Sequence, residues 1–253
     1  MRALVTNDDG IHSPGLHHLA RVAVDAGLEV VVAAPMTESS GASASLVATR
    51  TDGHMNIHEI ELPGLAIRCL GVEATPAYLT WAALRGAFGG MPDLVLSGIN
   101  NGPNTGNAVL HSGTVGAALT ASAHGVTALA VSMSSRDPDN WDTASWVAQE
   151  VVSWLQATPR GPVVLNVNVP DLPMADLTGI VQAPLATFGA VQADIAEVGE
   201  GFLILTFSDV DVHQEPDSDA AMQAGGWATV TALRGPTADS DFSLAGLVGP
   251  DLA

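Results

Sequence analysis

The feature that most constrains the fold of this 253-residue chain is an alternation of short apolar runs with longer amphipathic stretches. Residues 3–6, 29–34, 94–97, 128–133 and 163–169 are rich in apolar and β-branched side chains. We predict that they form strands, because this composition is typical of strands buried on both faces. A meander of two further strands is predicted at residues 57–62 and 66–70. Helix-like stretches occupy residues 16–26, 76–85, 114–124 and 141–155. Because strands alternate with helices, we predict an α/β fold with a doubly wound, mostly parallel, Rossmann-like sheet.

The last third of the chain is rich in glycine and in β-forming residues, with strands predicted at 201–207 and 227–232. Since no repeat or low-complexity linker separates this part, we expect one domain over residues 1–253. Its core is predicted at about residues 1–184 and an appended β-rich region at about 185–232. A polar tail is predicted at residues 233–253.

Charge and composition exclude several functions. The formal net charge of −19 argues against contact with nucleic acid or an anionic membrane. An anionic substrate would therefore need a metal ion or a helix N-terminus in the site to attract it. The eight basic residues are all arginine, which excludes a Walker A loop and a Schiff-base lysine. Cys69 is the only cysteine, and the chain shows no signal peptide or apolar run of membrane length. We therefore expect a soluble, cytoplasmic protein.

Two adjacent carboxylates follow the first predicted strand, in the sequence NDDG at residues 7–10. Asp8 and Asp9 would lie at the carboxyl end of that strand, where α/β proteins build their sites. The alternative is a simple turn in which Asp8 caps the helix that begins near Pro14.

A long loop rich in asparagine and glycine follows the strand at residues 94–97 and leads into an alanine-rich helix. Asn100 and Asn104 offer amide groups to a cation or a phosphate, and Ser112 and Thr114 lie at the helix N-terminus, where backbone N–H groups can cradle an oxyanion. The alternative is a structural loop with an N-capping serine. His111 is a candidate substrate contact at the same end.

A third polar segment, PMTESSGASAS at residues 35–45, follows the second strand. Three strand ends would therefore bring together the two carboxylates, Asn100, and a hydroxyl from Ser39 or Ser40. Carboxylates with neutral oxygen ligands and no thiolate suit a hard cation such as Mg²⁺, Mn²⁺ or Ca²⁺. We therefore predict a divalent-metal site that neutralises an anionic substrate.

These motifs, in this order, resemble the SurE family of survival-protein nucleotidases. The resemblance rests on NDDG, SGAS, SGINNGPN, HSGTVGAA and LNVNVP across residues 1–170, and more loosely on SDAAMQAGGWATVTAL at residues 218–233. It implies a metal-dependent phosphomonoesterase that converts nucleoside monophosphates to nucleoside and phosphate. It also implies subunits that share C-terminal elements in a homodimer or homotetramer.

The resemblance implies a role for each matching residue. One divalent ion per subunit, Mg²⁺ or Mn²⁺ with Ca²⁺ as a non-native occupant, would be held by Asp8, Asp9, Ser40 and Asn100. Asp8 and Asp9 would be catalytic, and the substrate-binding residues would be Asn104, Ser112, Gly113 and Thr114. The alternative is a non-catalytic nucleotide- or carbohydrate-binding module that uses the same sheet edge.

Overall fold

The computed structural model of the chain describes residues 1–49, 52–158, 161–187, 191–199, 202–209 and 215–238. Its strands are β1 (Arg2–Thr6), β2 (Glu29–Pro35), β3 (Ile57–Glu59), β4 (Arg68–Val72), β5 (Leu94–Asn100), β6 (Thr127–Met133), β7 (Val164–Val169), β8 (Gly179–Gln182), β9 (Val191–Gly199), β10 (Phe202–Asp209) and β11 (Trp227–Leu233). Its α-helices are α1 (Pro14–Asp25), α2 (Pro76–Ala83), α3 (Gly113–Ala123), α4 (Trp141–Ala157) and α5 (Asp219–Ala224).

The main sheet has nine strands in the order β3-β4-β2-β1-β5-β6-β7-β11-β8. Strands β4, β2, β1, β5, β6 and β7 are parallel to their neighbours within this run. Strand β1 lies between β2 and β5. The chain therefore adds β2 on one side of β1 and later adds β5 on the other side. This reversal creates a crevice at the carboxyl ends of β1 and β5. The predicted mostly parallel, doubly wound α/β fold is confirmed.

Helices cover both faces of the sheet because its central strands are apolar on both sides. Ala3 and Val5 of β1 pack with α1 and α4, whereas Leu4 packs with α2 and α3 on the opposite face. Successive residues of a strand point to opposite faces, so a strand buried on both sides reads as a continuous apolar run. No helix in the described ranges is long and apolar enough to span a membrane.

The C-terminal region differs from the predicted division of the chain. Strand β11 pairs antiparallel with β7 and parallel with β8, so the segment Trp227–Leu233 is part of the main sheet. Helix α5 packs against β11. A boundary near residue 184 therefore does not separate the core from the β-rich region. The physical reason is that β7 has a free edge, and β11, with Ala228 and Thr229 fully buried, covers it.

Only the hairpin of β9 and β10 forms a sheet of its own among the described residues. Strands β8 and β9 and helix α5 were absent from the sequence prediction, whereas the other predicted elements are present with ends shifted by a few residues. Gly201, the predicted first residue of one strand, and residues 239–253 of the predicted tail lie outside the described residues.

The close contact between α1 and β5 generates a test of the packing. A Cβ atom at Gly15 would overlap the carbonyl oxygen of Ile99 and approach the Trp141 ring to 2.9 Å. Replacing Gly15 with alanine should push α1 away from the sheet and lower the free energy of unfolding by about 1–3 kcal/mol, as measured by urea denaturation.

Gly161→Ala is the matched control, because a Cβ there meets no atom within 4 Å. This variant should remain within about 0.5 kcal/mol of the wild type. Equal midpoints for both variants would contradict the packing described here.

Candidate active site at the carboxyl ends of the central strands

A large open cavity of about 1350 Å³ lies where β1, β2 and β5 end. The structure brings six of the predicted site residues to its wall: Asp8, Asp9, Ser40, Asn100, Asn104 and Ser112. The other two, Gly113 and Thr114, are fully or nearly fully buried behind that wall. The three strand ends therefore meet at one place because parallel strands end on the same edge of the sheet.

Asp8 is held rigidly at the bottom of the cavity. Its side chain is almost completely buried, and this burial raises the pKa of its carboxyl group. The Thr114 hydroxyl donates a hydrogen bond to Asp8 Oδ1, and a Cβ on Gly113 would lie 2.7 Å from Asp8 Oδ2. Gly113 and Thr114, predicted as substrate contacts, thus support Asp8. Their residue types follow from this contact, since only glycine leaves room for the carboxylate.

The alternative in which Asp8 caps the first helix does not hold. Ser13 caps α1, because its hydroxyl accepts a hydrogen bond of 3.3 Å from the Leu16 N–H. Asp8 instead faces the start of α3, more than a hundred residues later in the chain.

Asp9 lies beside Asp8 and is more open to the cavity. Its pKa is raised to about 7, first by burial, then by the neighbouring charge of Asp8, and to a smaller extent by Glu38. The Asn101 N–H donates a hydrogen bond of 3.1 Å to Asp9 Oδ2, which opposes this shift. Two carboxylates at such close quarters repel each other when both are ionised. A bound cation would offset that repulsion.

The neutral ligands predicted for this cation lie on the same wall. The Asn100 side-chain amide donates to the Gly102 carbonyl at 2.8 Å, which fixes its orientation. Ser40 is exposed and donates from its hydroxyl to Glu38 Oε1 at 2.8 Å. The buried Oδ1 of Asn101 also belongs to this wall and has no hydrogen-bond partner.

The donor set fits a hard divalent cation. No group of three His, Cys, Asp or Glu side chains suited to a metal exists within the described part of the chain. A cation in the cavity would therefore depend on the two carboxylates together with a hydroxyl and an amide oxygen. Such oxygen-only sets suit Mg²⁺, Mn²⁺ or Ca²⁺ better than softer metals.

The loop between β5 and α3, residues 101–112, forms one side of the cavity and is called the rim loop here. Asn168 Oδ1 accepts from the Asn104 N–H at 2.7 Å, and the side-chain amides of Asn166 and Asn168 donate to the Asn104 carbonyl at 2.8 and 3.0 Å. The Asn104 side-chain amide donates to Ser132 Oγ at 2.7 Å. Asn104 is therefore fixed on the wall by buried partners.

Asn166, Asn168 and Ser132 have no role in the site predicted from the sequence. A signal was present in LNVNV, because two asparagines at alternate positions of an apolar strand must share one face of the sheet. Both are fully buried, and buried amides require hydrogen-bond partners.

The far end of the rim loop carries the remaining polar groups. Ser112 accepts from the Val115 N–H at 3.1 Å and so caps α3, and His111 lines the wall beside it. Arg136, from the loop after β6, brings a positive charge to the same cavity. Helix N-terminal N–H groups and an arginine both favour an anionic ligand.

Comparison with known proteins identifies the family. The sequence profile described as "Survival protein SurE" matches residues 3–190 of this chain. The chain belongs to the SurE family. The resemblance read from the ordered motifs is confirmed.

Curated SurE-family relatives match most of the chain. A protein of Ectopseudomonas mendocina (strain ymp) named 5'-nucleotidase SurE is 38% identical over 242 residues, which cover 92% of each chain. A protein of the same name from Stenotrophomonas maltophilia (strain R551-3) is 40% identical over 200 residues, 78% of this chain and 74% of the relative. The crystal structure of the SurE protein from Aquifex aeolicus aligns with a TM-score of 0.76 at 29% identity, over 92% of this chain and 93% of that one.

The hydrogen bond between Thr114 and Asp8 generates a test of the cation site. Thr114→Val removes the hydroxyl and preserves the shape, so Asp8 loses its main orienting partner. Titration calorimetry should show Mn²⁺ affinity lowered by about tenfold or more.

The control is Thr120→Val on the same helix, where the hydroxyl donates only to the Gly116 carbonyl at 2.7 Å. This variant should bind Mn²⁺ as the wild type does. If both variants bind Mn²⁺ with wild-type affinity, Thr114 does not orient a cation ligand.

Proposed function

We propose that the chain is a divalent-metal-dependent phosphomonoesterase that hydrolyses nucleoside monophosphates to nucleoside and phosphate. The observation that carries this proposal is the pair Asp8 and Asp9 beside neutral oxygen donors in one cavity. The names of the curated relatives, 5'-nucleotidase SurE, support the same activity.

The size and polarity of the cavity support a substrate larger than phosphate. A volume of about 1350 Å³ is ample for a nucleoside monophosphate. The wall combines carboxylates at one end with asparagines, a serine and the His111 imidazole along the rim loop. The reacting phosphate would lie near Asp8 and Asp9, and the nucleoside would extend along the rim loop toward His111.

The chain's own residues would carry out binding and proton transfer. Asp8, Asp9, Ser40 and Asn100 would hold the cation, which when bound neutralises phosphate charge and makes water a stronger nucleophile at neutral pH. Asp8 is fixed by Thr114, so it serves as an oriented ligand. Asp9 faces the cavity beside Asp8, where its carboxylate would accept a proton from the attacking water.

The rim loop and the start of α3 would orient the substrate. Ser112 lies at the N-terminus of α3, where the positive end of the helix dipole would attract phosphate oxygens. Asn104 would contribute its side-chain oxygen from the buried wall. Gly113 would contribute indirectly, because the Asp8 carboxylate occupies the space that a side chain at residue 113 would fill.

The decisive experiment measures phosphate release from nucleoside 5'-monophosphates and from an aryl phosphate, with Mn²⁺, Mg²⁺ or Ca²⁺ added. We expect turnover with Mn²⁺ or Mg²⁺ and its loss on chelation. Asp9→Asn should lower kcat/KM by about a hundredfold or more, because it removes a charged ligand and the proton acceptor together.

Asp25→Asn is the control, because Asp25 is an exposed carboxylate at the end of α1. It should retain wild-type turnover. Nucleotide binding without turnover under every metal condition would favour the binding-module alternative, and wild-type turnover by Asp9→Asn would refute the assignment of the site.

We also propose that the chain forms a homodimer or homotetramer through the hairpin of β9 and β10. This hairpin pairs with no other strand among the described residues and exposes Val198, Phe202 and Ile204. An isolated two-stranded hairpin is only marginally stable in water. A second subunit that covers its apolar side chains would stabilise it.

Light scattering at micromolar concentration should give a mass at least twice the 25.8 kDa of the chain. Phe202→Ser should shift the population toward the monomer. Met91→Ser, which changes a side chain of similar exposure (53% against 51%), should leave the mass unchanged. A wild-type monomer would contradict the proposal.

A further inference from the structure

Asp219 is a fully buried carboxylate that the proposed mechanism does not use. It lies at the first position of α5 and accepts hydrogen bonds from three backbone N–H groups. Its Oδ1 accepts from Ala186 at 2.9 Å and from Ala220 at 2.8 Å, and its Oδ2 accepts from Gly106 at 3.0 Å. A buried carboxylate is costly unless it is hydrogen-bonded, and bonds to a charged acceptor are strong. Asp219 is thus a firm link between segments far apart in the sequence.

Two of the linked segments belong to the wall of the cavity. Gly106 lies in the rim loop, and Ala186 immediately precedes Thr187, which lines the cavity opposite. The Asn107 side-chain amide donates to the Thr187 carbonyl at 2.7 Å, next to the bond between Gly106 and Asp219. Asp219 therefore sets the spacing between the rim loop and residues 186–187.

The rim loop is also held from the sheet. Asn166 and Asn168 of β7 bind both polar groups of the Asn104 peptide backbone, two residues before Gly106. The backbone of residues 104–106 is therefore fixed from β7 on one side and from α5 on the other. The following residues, which include Asn107, His111 and Ser112, then present their side chains to the cavity.

We propose that Asp219 is a positioning residue for substrate binding, which acts by holding the rim loop against residues 186–187. The hydrogen-bond partners of Asp219 are Gly106, Ala186 and Ala220 and include neither Asp8 nor Asp9, so its effect falls on the substrate and not on the cation. The inference rests on the proposed function, because the rim loop is taken to contact the substrate. Through Asp219, helix α5 and the segment around residue 186 would help to shape a site whose carboxylates, Asp8 and Asp9, lie near the start of the chain.

Asp219→Asn tests this role with little change in shape. The variant replaces one acceptor oxygen with an NH₂ group, which cannot accept a hydrogen bond from any of the three N–H groups. We expect KM for a nucleoside monophosphate to rise by about tenfold or more with a much smaller change in kcat. Mn²⁺ affinity should equal that of the wild type.

Ser218→Ala is the matched control on the same helix. Ser218 Oγ accepts from the Ala221 N–H at 3.3 Å, so its loss weakens the helix cap and leaves the Asp219 carboxylate in place. This variant should keep the wild-type KM. Amide hydrogen exchange should be faster at Gly106 and Ala186 in Asp219→Asn, and unchanged there in Ser218→Ala.

A second variant covers the case in which Asp219→Asn does not fold. The partly exposed Glu215 carboxylate accepts from the Thr187 N–H at 2.7 Å, so Glu215→Ala should fold and loosen the same segment. We expect KM to rise by about threefold or more. A wild-type KM in every foldable variant, or an equal rise in Ser218→Ala, would overturn the proposal.

Calorimetric titration of inorganic phosphate into the Mn²⁺-loaded protein separates the two proposals. Weaker phosphate binding by Asp219→Asn than by the wild type supports the positioning role. If in addition no substrate is hydrolysed by the wild type, the proposed function fails and the positioning role stands. Equal phosphate binding together with an unchanged KM refutes the positioning role, and leaves a hydrolase with an intact active site.

Discussion

The burial of two adjacent carboxylates at the end of β1 is the constraint on which the rest of the site depends. Asp8 is almost completely enclosed, and such a group requires partners. It obtains them from the first turn of α3, which approaches closely because residue 113 is glycine and residue 114 carries a hydroxyl. Asp9 remains open to the cavity beside it. One pair of side chains thus determines how α3 packs on the sheet and where a cation can bind.

The same need for hydrogen-bond partners organises the loop that borders the cavity. Buried backbone groups between the end of β5 and the start of the 3-10 helix Gly106–Leu110 have no strand ladder to join, so side chains must satisfy them. Asn166 and Asn168 do this from β7 for the Asn104 peptide, and Asp219 does it from α5 for Gly106. The C-terminal elements therefore complete the site that the N-terminal strands begin. A strand that extends the sheet, β11, carries α5 into position against it.

The proposed anionic substrate would have to bind to a strongly acidic chain. The net charge of −19 repels phosphate at long range, and Asp8, Asp9 and Glu38 add to that field in the cavity. Against it stand the N-terminus of α3 and Arg136, together with the cation for which the oxygen donors are suited. Short-range interactions in a partly desolvated cavity exceed a screened long-range field.

The amino-acid sequence was sufficient to predict the fold class and the family, because both depend on local patterns: apolar runs that alternate with helical stretches, and ordered motifs at strand ends. It also placed Asp8, Asp9, Ser40 and Asn100 on one edge, since parallel strands end together. Three features depend on contacts between residues far apart in the chain. They are the hydrogen bond from Thr114 to Asp8, the hydrogen bonds from Asn166 and Asn168 to the Asn104 backbone, and the link through Asp219. These contacts, and the place of β11 within the sheet, are visible only in the tertiary structure, because strand order and the choice of hydrogen-bond partners are set by packing across the whole domain. The alternation in LNVNV indicates that Asn166 and Asn168 share one face of the sheet, but it does not identify the groups that they bind.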